Sequence, residues 1–159
     1  MKSQNGFVLG VLSEMELFSE VDYNSLVMLS NLFEERVYNQ AEIIFEEDSI
    51  GTSMMMITSG EVRISQMSDP QTEEALIVLK KGDVFGEMAL LDDMPRSATA
   101  IANTNVIIFE IQRERFLNFI ENNKEAGVKI LMKLAKILSS RLRETDAKVK
   151  AFVSLTKWI

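Results

Sequence analysis

Residues 85–100 form the most informative stretch of this chain: Phe-Gly-Glu-Met-Ala-Leu-Leu-Asp-Asp-Met-Pro-Arg-Ser-Ala-Thr-Ala. Gly86 permits a tight turn, and Glu87 then opens a short predicted helix, Met88 to Leu91. The first N–H groups of a helix have no partner within it, so they offer donors to an anion. Pro95 extends the following segment and brings Arg96 to the start of the next predicted strand. A guanidinium that faces such donors makes a cradle for a phosphate.

Glu87 and Arg96 have two interpretations that the residues alone leave equally open. In a ligand site, a carboxylate only accepts hydrogen bonds, so Glu87 suits a sugar hydroxyl and Arg96 suits the phosphate. In the other interpretation, the two side chains pair with each other and stabilise a loop.

Short apolar runs of β type, separated by turn residues, surround this stretch. The predicted strands are Glu35–Tyr38, Glu42–Phe45, Met54–Thr58, Glu61–Gln66, Ala75–Lys80, Ala98–Ala102 and Val106–Ile111. A turn is predicted at Ser68-Asp69-Pro70, and a helix begins at Asp22, a residue type that favours the N-cap position. Many short strands at this spacing favour a sandwich, jelly roll or barrel. The fold class is therefore mainly β, a jelly roll with flanking helices at its N and C termini.

The C-terminal part of the sequence has no strand signal. It predicts a short helix over Arg113–Asn122 and a longer one from about Lys124 to Phe152. Apolar residues of the longer helix follow a coiled-coil spacing: Val128, Leu131, Ala135, Leu138, Leu142, Thr145, Val149 and Phe152. Ile130, Leu134 and Ile137 widen its first half, which we expect to pack on the β core, whereas the second half favours a homodimer.

The composition excludes several classes of protein. The 159 residues contain no cysteine and no histidine, which excludes a disulfide framework, a histidine zinc site and a Ser-His-Asp triad. The apolar segment Phe7 to Leu12 is too short to span a membrane. Residues 1–122 carry 8 basic and 21 acidic side chains, and residues 123–159 carry 9 and 3. We therefore predict an acidic body, 1–122, and a basic helical segment, 123–159.

The stretch 85–100 resembles the phosphate-binding cassette of the cyclic nucleotide-binding domain family, the module of catabolite regulators, protein kinase regulatory subunits and cyclic nucleotide-gated channels. Phe85-Gly86-Glu87, Ala89-Leu90-Leu91 and Pro95-Arg96-Ser97-Ala98-Thr99 stand in the family's order and spacing. The resemblance continues outside the cassette, at Leu17-Phe18, Ser59-Gly60-Glu61-Val62, Gly82-Asp83 and Phe116. The family's eight-stranded jelly roll agrees with the predicted strands.

This resemblance implies a role for each residue of the site. Arg96 would bind the exocyclic phosphate, and Glu87 would accept the ribose 2′-hydroxyl near the Gly86 backbone. The N–H groups of Met88 and Ala89, with Ser97, would face the phosphate. Apolar side chains would flank the ring, and these are Val84, Met88 and Ala98.

Two departures from the family pattern lie before the third predicted strand. The family commonly has Glu-Gly-Asp and then Gly-Asp there, whereas Glu47 replaces the first of these glycines and Thr52 the last aspartate. These departures affect the expected geometry of a loop more than they affect binding.

The resemblance predicts a cytoplasmic sensor that binds a cyclic nucleotide and moves its C-terminal helices in response. Within the family Ser97 is permissive for both cAMP and cGMP, and we expect cAMP because the short basic-helix architecture resembles that of bacterial members. We expect no enzyme activity, cofactor, metal or membrane segment. The chain ends at Ile159, which leaves no length for a winged helix-turn-helix, so we expect no DNA-binding domain. The alternative is a jelly-roll interaction domain with a vestigial pocket, in which an internal carboxylate such as that of Glu87 bonds to the Arg96 guanidinium.

Overall fold

The computed structural model describes residues 2–69 and 72–156. Its eight strands form two antiparallel four-stranded sheets, with the orders β1-β8-β3-β6 and β2-β7-β4-β5. The strands are β1 (Glu34–Tyr38), β2 (Ile43–Phe45), β3 (Ser53–Ser59), β4 (Val62–Asp69), β5 (Thr72–Leu79), β6 (Val84–Phe85), β7 (Thr99–Ala102) and β8 (Val106–Gln112). The predicted jelly roll with flanking helices is thus confirmed.

Two predictions about the strands need correction. The two-residue strand β6 was not predicted, because two residues carry no periodicity. The turn predicted at Ser68-Asp69-Pro70 is wrong at its first two residues, since β4 continues to Asp69, which pairs with Thr72 of β5. Pro70 lies outside the described residues.

Helices flank the strands at both ends of the chain, and one short helix, Met88–Leu91, lies between β6 and β7. They are α1 (Lys2–Glu14), a 3-10 turn (Glu16–Phe18), α2 (Tyr23–Ser30), α3 (Met88–Leu91), α4 (Arg113–Asn122) and α5 (Lys124–Thr156). The predicted N-cap of α2 is confirmed, because the Asp22 carboxylate accepts the Ser25 N–H at 3.0 Å. Across residues 2–69 and 72–156, no helix combines the length and apolar character that crossing a membrane requires.

Two apolar clusters share the β1-β8-β3-β6 sheet, one on each face. Neighbouring residues of a strand point to opposite faces: Met54 and Met56 of β3 pack under the helices, whereas Met55 and Ile57 fill the space between the sheets. Both faces are covered, so β3 is buried from Ser53 to Thr58.

Helix α5 begins in the helix-side cluster and then leaves it. Ile130 and Leu134 are buried, at 0% and 1% exposed, and Ile137 packs against them. Leu142, Val149 and Phe152 are 63%, 55% and 68% exposed. The first half therefore packs on the body, as predicted, while the homodimer of the second half stays a prediction. The predicted division of the chain into a body, 1–122, and a helical segment, 123–159, also stays a prediction, although it coincides with the junction of α4 and α5.

Candidate functional site

A cavity of about 660 Å³ lies between the stretch 85–98 and the middle of α5. We call the roll side of this cavity its floor; it includes Phe45 and residues 85–89 and 94–98. We call the α5 side its roof; it consists of Arg141, Glu144, Thr145 and Lys148. Residues of β4 and β5, all apolar except Gln66, form a wall between them. The volume is in the range of pockets that hold small molecules.

Gly86 brings the cassette backbone against the arginine of the floor. Its φ of +68° is in the left-handed region that favours glycine. A Cβ atom at this position would lie 2.5 Å from Arg96 Nη1. A larger residue at position 86 would therefore displace Arg96.

Arg96 is a buried cation at the floor, with only 7% of its surface exposed. Its Nη1 donates to the Gly86 carbonyl at 3.0 Å, and its Nη2 donates to the Ser53 carbonyl at 2.9 Å. None of the ion pairs between described residues includes Arg96. Burial lowers the pKa of Arg96, and the charges of Glu110 and Glu87 oppose this shift. A buried guanidinium without a bonded carboxylate favours an anionic ligand.

The loop between β2 and β3 holds the Arg96 backbone. The Arg96 N–H donates to Ser49 O, and the Asp48 N–H donates to Arg96 O, both at 2.9 Å. Asp48, with a φ of 61°, takes the left-handed conformation in this loop, and Glu47 does not. The glycine that Glu47 replaces is therefore not needed for the backbone here. Thr52 contributes its carbonyl, which accepts the Arg113 N–H at 2.8 Å.

Glu87 pairs with an arginine of the roof. Arg141 Nη1 donates to Glu87 Oε1 at 2.7 Å, and Arg141 Nη2 donates to the Val84 carbonyl. Glu87 is 5% exposed. The structure thus answers the question that the sequence left open: Glu87 bonds to Arg141, and not to Arg96. Arg141 was missed as a site residue because it lies 54 positions from Glu87, with no local motif around it.

Seven of the eight predicted site residues line the cavity: Gly86, Glu87, Met88, Ala89, Arg96, Ser97 and Ala98. Val84 does not, and its expected place beside the ring is corrected. Its side chain packs in the helix-side cluster, while that of Phe85 points between the sheets and lines the cavity. Adjacent strand residues face opposite sides, and which side faces the cavity depends on how β6 pairs with β3.

Polar groups lie at both the floor and the roof of the cavity. At the floor, the Ser97 hydroxyl lies 3.9 Å from Met88 Sδ, and the Ala89 N–H makes a long bond of 3.3 Å to Gly86 O. At the roof, the Lys148 ammonium donates to the Leu76 carbonyl at 3.3 Å. The described residues contain no cluster of three or more side chains suited to a metal ion. The arrangement suits a ligand with an anion at one end and a polar group at the other.

Comparison with known proteins agrees with this geometry. A family model described as the cyclic nucleotide-binding domain matches residues 35–123. The cyclic AMP receptor protein of Thermus thermophilus is 34% identical over 114 residues, 72% of this chain and 51% of that protein. A cGMP-dependent protein kinase of Drosophila melanogaster is 32% identical over 117 residues, 72% of this chain and 12% of the kinase.

A solved structure gives the same result. The crystal structure of the Thermus thermophilus catabolite activator protein superposes with a TM-score of 0.74 at 30% identity, covering 86% of this chain and 62% of that one. The chain spans about half the length of its bacterial relative. Because the family model covers more than half of the sequence and the fold agrees, this chain belongs to the cyclic nucleotide-binding domain family.

Proposed function

We propose that this chain is a sensor that binds a cyclic nucleotide in the cavity under α5. The observation that carries the proposal is Arg96, a buried guanidinium at the floor that is bonded to backbone carbonyls and not to a carboxylate. A cyclic phosphate supplies the missing negative charge and two acceptor oxygens, which match the fork of a guanidinium.

Glu87 would receive the ribose 2′-hydroxyl beside this phosphate. Its carboxylate is held at the start of α3, nine positions before Arg96, and lines the same cavity. Ionised carboxylates accept hydrogen bonds and donate none, so Glu87 complements a hydroxyl and disfavours a second phosphate. Met88 and Ser97 line the same cavity, and we expect the Met88 N–H and the Ser97 hydroxyl to bond to the phosphate.

We further propose a preference for cAMP over cGMP. Glu144 and Thr145 of the roof line the cavity. The Thr145 hydroxyl donates to Arg141 O at 3.0 Å, so toward a ligand it acts as an acceptor, like the Glu144 carboxylate. The exocyclic amine of adenine is a donor and complements these acceptors, whereas the O6 atom of guanine in the same place would oppose a carboxylate. A relative named for cyclic AMP supports this preference, and a relative named for cGMP is similar to the same region.

The proposed sensor transmits occupancy through α5. Arg141 connects this helix to Glu87 and to β6, so a ribose that bonds to Glu87 acts on the same carboxylate as the helix. The ligand shifts α5 only by its difference in affinity for the two arrangements. A sensor of this kind requires no catalytic turnover and no bound cofactor. We propose that the protein is cytoplasmic and that it forms a homodimer through α5.

The alternative of a vestigial pocket required a carboxylate on Arg96. Among the described residues Glu87 bonds elsewhere, so no observation favours that alternative.

Thermal unfolding tests the proposal. We expect millimolar cAMP to raise the melting temperature of the wild type, since a ligand at about 100 times its Kd adds roughly 2.7 kcal/mol to the free energy of unfolding. A smaller shift is expected with cGMP, and none for Arg96→Ala. If neither nucleotide raises the melting temperature of the wild type, the proposal that the chain binds a cyclic nucleotide is wrong. A shift with cGMP that equals or exceeds the shift with cAMP contradicts only the base preference.

A further inference from the structure

We propose that Phe45 is a positioning residue for nucleotide binding: its ring holds the Arg96 guanidinium in place of a counter-ion until the phosphate arrives. This inference rests on the proposed function, because it assumes that Arg96 binds the phosphate. It assigns a role to a side chain on β2, outside the cassette.

The contact is close and the ring is well fixed. Arg96 Cζ lies 4.1 Å from the centroid of the Phe45 ring, well within the distance of about 6 Å at which a cation is attracted to an aromatic face. Phe45 pairs with Ala100 across the β2–β7 ladder, and its ring lies 5.9 Å from that of Phe85. Both neighbours belong to the apolar cluster between the sheets, so the ring is supported from the core.

A ring stabilises the cation without occupying its donors. The N–H groups of a guanidinium lie in its plane, and they bond at its edge. A carboxylate bonds at that edge and competes with a phosphate, whereas an aromatic ring attracts the face through its quadrupole. Nη1 donates to Gly86 O, and Nη2 donates to Ser53 O and, at 3.4 Å, to Ser53 Oγ. Of the five N–H groups of a guanidinium, the one on Nε and the second one on Nη1 remain for a ligand.

The backbone around Arg96 leaves little room for its side chain to adopt another conformation. A Cβ atom on Gly51 would lie 3.0 Å from Arg96 Nε, so that glycine packs directly against the side chain. Phe45, Ser49, Gly51 and Ser53 all contact Arg96 from one continuous segment. The segment 45–53 therefore holds the Arg96 side chain in position before the ligand binds. Phe45 is the only aromatic residue of this segment. Preorganisation of this kind reduces the cost of binding.

The experiment replaces Phe45 by phenylalanines that carry one to five ring fluorines, which keep the shape of the ring and weaken its negative face. We expect the Kd for cAMP, measured by calorimetry, to rise with each fluorine. Phe45→Leu should weaken cAMP binding about 3- to 30-fold, the range that cation–π energies give, and Phe45→Tyr should restore it. Adenosine lacks the phosphate, so its binding should change less than twofold in every variant.

Phe33→Leu is the matched control. Phe33, like Phe45, packs on another ring: it lies edge to face on Phe18 in the helix-side cluster, so this variant loses an aromatic pair without touching Arg96. We expect its affinity for cAMP to equal that of the wild type.

Two results would overturn the positioning role: an affinity for cAMP that is independent of fluorination, or a Phe45→Leu variant that weakens cAMP and adenosine equally. A wild type that binds neither cAMP nor cGMP would instead overturn the proposed function itself.

Discussion

The floor and the roof of the cavity are held by different kinds of contact. At the floor, Arg96 is 7% exposed and is fixed by strands, a loop and an aromatic ring. At the roof, α5 beyond Ser140 has exposed apolar side chains and reaches the roll through the side chains of Arg141 and Lys148. The floor is therefore suited to recognition, and the roof is suited to movement, because a few polar contacts are easily exchanged with a ligand.

The largest expected effect is at the floor. Arg96→Ala should lower cAMP affinity by at least about 100-fold, since a buried phosphate loses its charged partner. Arg96→Lys should recover part of it, as it retains the charge without the fork. Calorimetry on the folded variants measures this loss, and wild-type affinity in Arg96→Ala would mean that the phosphate binds elsewhere.

The first half of α5, which anchors the roof to the body, should be important for the free energy of unfolding. Leu134 is 1% exposed in the helix-side cluster, so Leu134→Ala should lower the free energy of unfolding by about 2–5 kcal/mol. Urea denaturation measures it. A loss below about 1 kcal/mol would show that the first half of α5 is not anchored as described.

The carboxylate of the floor that bonds to the roof, that of Glu87, should have an intermediate effect. Glu87→Gln keeps one acceptor oxygen but loses the charge, and we expect a loss of cAMP affinity of about tenfold, smaller than in Arg96→Ala. The test is a cycle with 2′-deoxy-cAMP, which should be penalised less in Glu87→Gln than in the wild type. Equal penalties would place the ribose away from Glu87.

Loss of the polar contact at the roof should change motion more than affinity. Arg141→Ala removes the bonds to Glu87 and Val84 O, so amide hydrogen exchange should accelerate from residue 141 to 150 while cAMP affinity changes less than about tenfold. The matched control is Arg143→Ala, because Arg143 donates to Ser139 within the helix. Identical exchange in both variants would contradict the role of Arg141.

The smallest effect is expected at the distal end of α5. Phe152→Ala removes a side chain that is 68% exposed, so the stability of the monomer should change by less than about 0.5 kcal/mol. The same variant should weaken the proposed homodimer in sedimentation experiments. A wild type that stays monomeric at high micromolar concentration, with and without cAMP, would exclude the homodimer.

Local patterns in the sequence were sufficient for most of the fold. Alternating apolar residues predicted seven of the eight strands to within a few residues, and the eighth was too short to show alternation. Asp22 was identified as an N-cap because a cap depends on a contact only three residues away. The end of β4 was misplaced, since pairing with β5 extends that strand into residues that favour a turn.

The sequence by itself determined the fold class, because that depends on periodicity, and it placed Gly86, Glu87 and Arg96 on one short stretch that resembles the cassette. Only the tertiary structure decided the partners of these residues. Arg141 reaches Glu87 across 54 positions, Phe45 lies under Arg96 across 51, and Val84 faces the helices because of its pairing with Met56. Contacts between distant segments depend on strand register and helix packing, and no local pattern of residues encodes those.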